Sequence, residues 1–253
     1  MTLQFSPLDT EHRELGATMV EFGGWEMPIA YPSGTIDEHL ACRNRAVIFD
    51  VSHLGTVRVE GDGAFDRLQS TLTNDLAKIE PGRAQYTHLL EPVDGSVVDD
   101  LIVWWRPDAP EAFDVMPNAS NTDGVRAAIG GTDTTHERAV LAVQGPHARA
   151  LVATVFPAAG SVGRFRVAAL DWNGVPCTVA GTGYTGEDGL EIAVPAEAAS
   201  ALWRALVGAG IPPAGLGARD TLRLESALPL HGHELGAGIT SLQAGLGWVV
   251  AWN

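Results

Sequence analysis

Ala84-Gln-Tyr-Thr-His-Leu-Leu90, Glu91-Pro-Val-Asp-Gly-Ser96 and Val97-Val-Asp-Asp-Leu-Ile-Val-Trp-Trp105 follow one another without a break, and their reading decides the fold. Asp-Gly between two apolar runs is a strong hairpin signal, because the left-handed backbone of the tight turn suits that pair. Residues 84–90 and 97–105 are therefore predicted as antiparallel strands, with the turn over 93–96. Upstream, 56–60 alternates as a strand, and Asp62 can cap a helix that runs through 72. Downstream, 112–116 reads as a strand that leads through Pro117-Asn-Ala-Ser-Asn121 into a helix ending near 129. The stretch 56–129 is thus strand, helix, hairpin, strand, helix, an α+β unit with an antiparallel sheet.

Further out, 35–45 reads as a helix with Ser33 or Thr35 available as N-cap, and 46–51 as a buried strand running into Ser52-His53. Beyond the central unit come a strand at 139–143, Gln144-Gly145-Pro146 with the proline near a helix start, and a helix to 155. A second hairpin, 165–170 and 175–180, turns at Asn173-Gly174. A strand at 190–194 and helices at 196–207 and 217–228 complete the pattern. The tail 239–253 is apolar and tryptophan-rich and has no terminating signal, which predicts further protein beyond it. No long linker, low-complexity tract or solenoid repeat interrupts the chain.

The totals exclude several classes. With 45% hydrophobic and 19% charged residues over 253 positions, the composition is that of a soluble globular chain of one or two domains. A net charge of −15 and the lack of a basic cluster argue against nucleic acid, since phosphate binding needs grouped Lys and Arg. The 16 basic residues are all arginines except Lys78, which suits a few contacts of fixed geometry with anions or carbonyls. No apolar run of about 18 residues suggests a membrane span. The acidic N-terminus does not read as a signal peptide, so the cytoplasm is expected. Cys42 and Cys177 form no CxxC pair and are expected as reduced, part-buried thiols.

Four motifs invite chemistry. Gly181-Thr-Gly-Tyr-Thr-Gly186 matches the dinucleotide fingerprint by letter, but that motif needs a helix after it, and here a strand follows. Gly215-Leu-Gly-Ala-Arg-Asp220 is a similar lookalike that opens a helix; Arg219 and Arg223 then share a face, either as surface arginines pairing with Glu225 or Asp220 or as ligand contacts. His231-Gly-His233-Glu234 lacks the helical spacing of a zinc site and reads as structural rather than metal-binding. Asp99-Asp100 is the strongest oddity, because adjacent strand residues point to opposite faces and strand interiors disfavour Asp. Either the strand is an edge with both carboxylates wet, or at least one meets a donor network or a ligand.

Seven blocks then occur in order: Phe22-Gly-Gly-Trp-Glu-Met-Pro28, Phe49-Asp-Val-Ser-His53, Leu72-Thr-Asn-Asp75, Gly95-Ser-Val-Val-Asp-Asp-Leu101, Val143-Gln-Gly-Pro146, Gly183-Tyr-Thr-Gly-Glu187 and Gly215-Leu-Gly-Ala-Arg-Asp-Thr-Leu-Arg-Leu-Glu225. Together they resemble the folate-binding T-protein (aminomethyltransferase) family of the glycine cleavage system, from about residue 8 to the end. The resemblance implies an α+β, folate-binding cloverleaf: a discontinuous first domain (1–55 and 130–245), an inserted ferredoxin-like domain (56–129), and 246–253 leading toward a β-barrel domain that the chain lacks. It implies transfer of an aminomethyl group from the lipoylated H-protein to tetrahydrofolate, with release of ammonia. By the same resemblance Asp100 is the catalytic carboxylate and Asp99 its support. Glu191 recognises the pterin, Tyr184 packs on the ring, Arg219 contacts folate, and Asn118 lies in the pocket. Leu54 departs mildly from the family pattern, Pro117 stands before Asn118 where a small aliphatic or polar residue is common, and the serious departure, the missing barrel, would remove a further folate-contacting arginine. The same blocks leave open a folate-dependent demethylase of a methylated amine or sulfonium donor, or a non-catalytic folate-binding protein.

Overall fold

A computed structural model describes residues 2–252, so Met1 and Asn253, the outer ends of the predicted first domain and linker, lie outside the described residues. In chain order the elements are β1 (Gln4–Phe5), α1 (Asp9–Glu14), β2 (Thr18–Phe22), β3 (Trp25–Ala30), α2 (Thr35–Asn44) and β4 (Val47–Asp50). Next come β5 (Val57–Glu60), α3 (Ala64–Thr71), β6 (Ala84–Leu90), β7 (Val97–Trp105), β8 (Ala112–Met116), α4 (Thr122–Ile129) and β9 (Thr132–Asp133). The last are β10 (Arg138–Gln144), α5 (Ala148–Val155), β11 (Val167–Trp172), β12 (Val175–Ala180), β13 (Gly189–Pro195), α6 (Ala199–Gly208) and α7 (Leu216–Glu225). Among the described residues no helix is long and apolar enough to cross a membrane.

The chain forms two compact units, one of 1–53 with 136–228 and the other of 54–135 with 229–253. The sequence reading assigned 229–245 to the first part and 246–253 to a linker. The difference has a backbone cause: Val97 N–H donates to Ile239 C=O, Ser96 bridges Thr240, and Ala251 N–H donates to Thr73 C=O. These bonds satisfy backbone groups at the start of β7 and just after α3 with the tail.

In the first unit a five-stranded sheet runs β11-β12-β13-β10-β4, and every neighbouring pair is antiparallel. All seven residues of β10 are buried, which explains why 139–143 within it reads as a continuous apolar run rather than an alternation. Val152 on α5 and Leu202, Trp203 and Leu206 on α6 close its core. A small sheet, β1-β3-β2, stands apart from it. Residues before 35 gave no element from pattern alone. Here β2 and β3 turn at Gly23-Gly24, both with positive φ, and β3 carries Pro28, which a strand template penalises.

In the second unit the sheet order is β6-β7-β8-β5-β9, again antiparallel throughout. Leu101 and Val103 of β7 pack with Leu68 of α3 and with Val125 and Ile129 of α4. The expected side-chain caps do not form. Gly34 and Gly63 precede α2 and α3 with φ of 83° and 76°, so a backbone that only glycine adopts easily starts each helix in place of Ser33, Thr35 or Asp62.

Candidate functional site

The Asp99-Asp100 pair sits on β7, which lies between β6 and β8 and is no edge strand. Alternation sends the two carboxylates to opposite faces. Asp99 goes to the helix-covered side and is fully buried; Asp100 is half-buried on the other. Both nevertheless bond one amide. Asn118, just past β8, donates its Nδ2 to Asp99 Oδ1 at 2.7 Å and to Asp100 Oδ1 at 2.8 Å. Its backbone N–H adds a bond to Asp99 Oδ2 at 3.0 Å, and Asn121 Nδ2 another to Asp99 Oδ1 at 2.9 Å.

Asp100 has a second donor, the Tyr86 hydroxyl at 3.0 Å from Oδ2. Burial raises the affinity of Asp100 for a proton above the ordinary carboxylate, and the Asn118 and Tyr86 bonds and the nearby His231 offset this only in part. Burial likewise pushes Asp99 up to about 7, against the pull of Asn118 and Asn121 and with a further push from Asp100. Burial thus favours the protonated form of each carboxyl, a kind of shift that is common where proton transfer is performed. His231 faces this pair, and its Nδ1 lies 3.3 Å from Asn121 Nδ2. Among the described residues no group of three or more His, Cys, Asp or Glu side chains could hold a metal ion.

Glu191, Tyr184 and Arg219 fall in the first unit. Glu191 is buried at the centre of the sheet, opposite Ala142 of β10 and Ala180 of β12, and accepts the Thr182 hydroxyl at 2.5 Å. Arg219, from the first turn of α7, stacks its guanidinium over the Tyr184 ring at 4.8 Å. Its Nη1 is buried with no hydrogen-bond partner among the described residues, and Glu191 exerts the main attraction on the charge. A buried guanidinium with an orphaned donor, a carboxylate close enough to be felt, and an aromatic face are groups that a flat polar ring could engage by hydrogen bonds and stacking. Arg223 behaves differently, because it pairs with Asp220 at 2.8 Å although its side chain is buried.

The 181–188 loop owes its shape to Gln144. That side chain donates to Thr182 C=O at 3.1 Å and accepts from the Thr185 hydroxyl at 3.0 Å. A Cβ at Gly183 would overlap the Gln144 amide, which is fully buried and fixed at both ends. Gly183→Ala is therefore expected to cost about 1–3 kcal/mol through overpacking and to displace Tyr184; a thermal melt together with a ligand titration checks both. β13 follows this loop, as the sequence pattern required, so no helix N-terminus is available for a pyrophosphate.

Tyr86, His88, Asn121, Thr182 and Ser241 were not singled out from sequence. No local signal placed Tyr86 and His88 beside Asp100: the register shifts by one residue between Leu89 and Leu90, so counting back from the Asp94-Gly95 turn would set His88 opposite Asp99, whereas the shift brings it opposite Asp100 with Tyr86 two residues away on the same face.

The GCVT N-terminal domain family model matches residues 8–253. An aminomethyltransferase of Mycobacterium tuberculosis is 48% identical over 98% of this chain and 69% of its own length. One from Synechococcus elongatus is 43% identical over 99% of this chain and 70% of its own. Among solved structures, glycine cleavage system aminomethyltransferase T from Bartonella henselae superposes with a TM-score of 0.89 at 35% identity, covering 99% of this chain and 70% of that one. This chain thus spans about 70% of the length of such relatives.

Proposed function

Given that the chain belongs to the GCVT aminomethyltransferase family, we propose that it moves a one-carbon unit to tetrahydrofolate from an aminomethyl group carried on the lipoyl arm of the H-protein. In that reaction the carbon–sulfur and carbon–nitrogen bonds of the donor break and two carbon–nitrogen bonds form on the folate. The lipoyl thiol is regenerated and ammonia leaves. Such chemistry passes through cationic, iminium-like carbon, which an adjacent carboxylate stabilises.

The observation that carries this reading is Asp100. It is a half-buried carboxylate with a raised proton affinity, oriented by the Asn118 and Tyr86 donors. We assign it proton acceptance and stabilisation of the developing cation. Asp99 anchors Asn118 from the opposite face and so supports that geometry. Glu191 is assigned the guanidine-like edge of the pterin, to which a carboxylate accepts two parallel bonds. Arg219 and Tyr184 are assigned contacts to the ring, on the strength of the orphaned Nη1 and the stacked pair.

Calorimetry with tetrahydrofolate tests the binding half. The parent is expected to bind, and Glu191→Ala to bind about 1–3 kcal/mol more weakly, the size of a lost hydrogen bond to a charged group. A Glu191→Ala variant that binds as the parent does would remove Glu191 from the site. A methylated amine or sulfonium compound consumed in place of the lipoyl-bound donor would replace transfer with demethylation.

A further inference from the structure

We propose that His88 is a positioning residue for Asp100, aiming the Tyr86 hydroxyl proton at the carboxylate, with Ser241 in turn fixing the tautomer of His88. The proposal rests on the reading that Asp100 serves the transfer reaction. Its geometry lies wholly in the second unit. His88 stands directly opposite Asp100 across the β6–β7 pair, and Tyr86 is its diagonal neighbour on the same face. A continuous chain runs Asp100 Oδ2, Tyr86 hydroxyl (3.0 Å), His88 Nε2 (3.2 Å from that hydroxyl), His88 Nδ1 and Ser241 Oγ (2.8 Å). The Tyr86 and His88 rings meet edge to face, with centroids 5.3 Å apart and planes at 84°.

Proton counting gives this chain one direction. An ionised carboxylate only accepts, so the single Tyr86 proton goes to Asp100. The phenol oxygen then has only lone pairs for His88, so Nε2 must carry a hydrogen and donate. A neutral imidazole with Nε2–H has a bare Nδ1, which accepts from Ser241. His88 is fully buried, and that burial pushes it down to about 4, so the neutral form is the one present near neutrality. Without the Nε2–H donor the Tyr86 hydroxyl can turn away, and Asp100 loses a bond that favours its ionised form.

The other groups facing Asp100 do not replace this bond. Asn118 approaches from beyond β8, His231 from the 229–252 segment, and Asp99 from the same strand.

The test compares the pH dependence of aminomethyl transfer for the parent, His88→Phe, His88→Gln, Tyr86→Phe and the Tyr86→Phe/His88→Phe double variant. Carbon NMR of labelled Asp carboxyls follows the Asp100 titration alongside. His88→Phe keeps a ring but loses the donor, and is expected to move the Asp100 titration and the acid limb up by about half to one pH unit. It should lower kcat more than it changes KM. His88→Gln brings an amide N–H to the Nε2 position and is expected to restore the parent profile. Because His88 acts only through Tyr86, the double variant should shift no further than Tyr86→Phe alone.

An unmoved titration in His88→Phe, or shifts that add in the double variant, would reduce His88 to a packing role. Should His88→Phe fail to fold, Ser241→Ala, which frees the tautomer, is expected to move the Asp100 titration in the same direction by less, and no movement there overturns the proposal. Asp100→Asn separates the two readings. Full transfer by Asp100→Asn removes Asp100 from the reaction, and the NMR titration still decides whether His88 acts on it.

Discussion

Asp100→Asn is expected to lower the rate of one-carbon transfer by about 10²–10⁴-fold, the range over which a positioned acid–base group acts, while leaving the fold intact. The substitution keeps the shape and one acceptor oxygen, so the Tyr86 hydroxyl still has a partner, and the half-buried position tolerates an amide. What disappears is the negative charge and the capacity to take a proton. An iminium-like intermediate next to a neutral amide loses its counter-charge in a site already partly removed from water, where such a charge acts most strongly. The pH dependence carries the same signature. Because burial raises the proton affinity of Asp100, the active, ionised form is lost as pH falls through a value above the ordinary carboxylate range, and activity falls on that side. Asp99→Ala gives the contrasting result. Asp99 is fully buried and holds Asn118 through two bonds and Asn121 through one, so its loss leaves buried donors unpaired. That variant should melt earlier by about 1–3 kcal/mol, with any loss of turnover following from the displaced Asn118. Rates and melting curves for the two variants therefore separate a carboxylate that reacts from one that supports. Equal loss of stability and equal residual turnover in both would refute the division of roles.

The central unit was legible because its signals are local. Asp94-Gly95 marks the turn, and the apolar run that follows it gives β7 with the bounds found, Val97–Trp105. The opposite facing of Asp99 and Asp100 follows from strand geometry alone. Their shared partner does not, because Asn118 reaches both carboxylates only once β8 has been laid beside β7 in register. Long-range pairing likewise removed the edge-strand alternative, since nothing within 97–105 announces that β6 and β8 flank it. Arg219 and Arg223 show the same limit on a helix. Their i, i+4 spacing puts them on one face, yet Arg223 finds the local Asp220 while Arg219 lies over Tyr184, 35 positions away in sequence. The helix caps failed for a different reason. Polar side chains suited to capping stand next to each start, but Gly34 and Gly63 set the backbone, and the side-chain bonds do not form. Elements before residue 35 were invisible because short strands broken by Gly23-Gly24 and Pro28 carry too few periods to register.

Asp50→Ala is expected to destabilise the first unit by about 3–5 kcal/mol, the cost of breaking a buried, hydrogen-bonded charge network by removing one member. Asp50, at the end of β4, is buried and accepts from four donors. They are the Ser6 hydroxyl, the Ser52 N–H at 2.8 Å, the Ser52 hydroxyl at 2.5 Å, and His12 Nε2 at 2.8 Å. His12 Nδ1 continues to the Tyr31 hydroxyl at 2.9 Å, and His12 also meets the Trp203 ring edge-on at 5.4 Å. One carboxylate therefore ties α1 and the turn after β4 together and, through His12, the residue that follows β3. Ala at this position strands three side chains in a space closed to water. Burial by itself would raise the proton affinity of Asp50; the bonds from His12, Ser52 and Ser6 overcome it and hold the group at about 2. Because the folded value lies below the ordinary carboxylate value of 3.8, this stability is present above about pH 4 and is lost as pH falls toward about 2. Acid titration of the parent should thus show a loss of stability in that window, and Asp50→Ala should lack that component. Asp50→Asn, which keeps one acceptor but adds a donor facing donors, should fall between the two. A parent whose stability is flat between pH 4 and 2, or an Ala variant within about 1 kcal/mol of it at pH 7, would show that the four donors find other partners and that Asp50 is not the knot of this network.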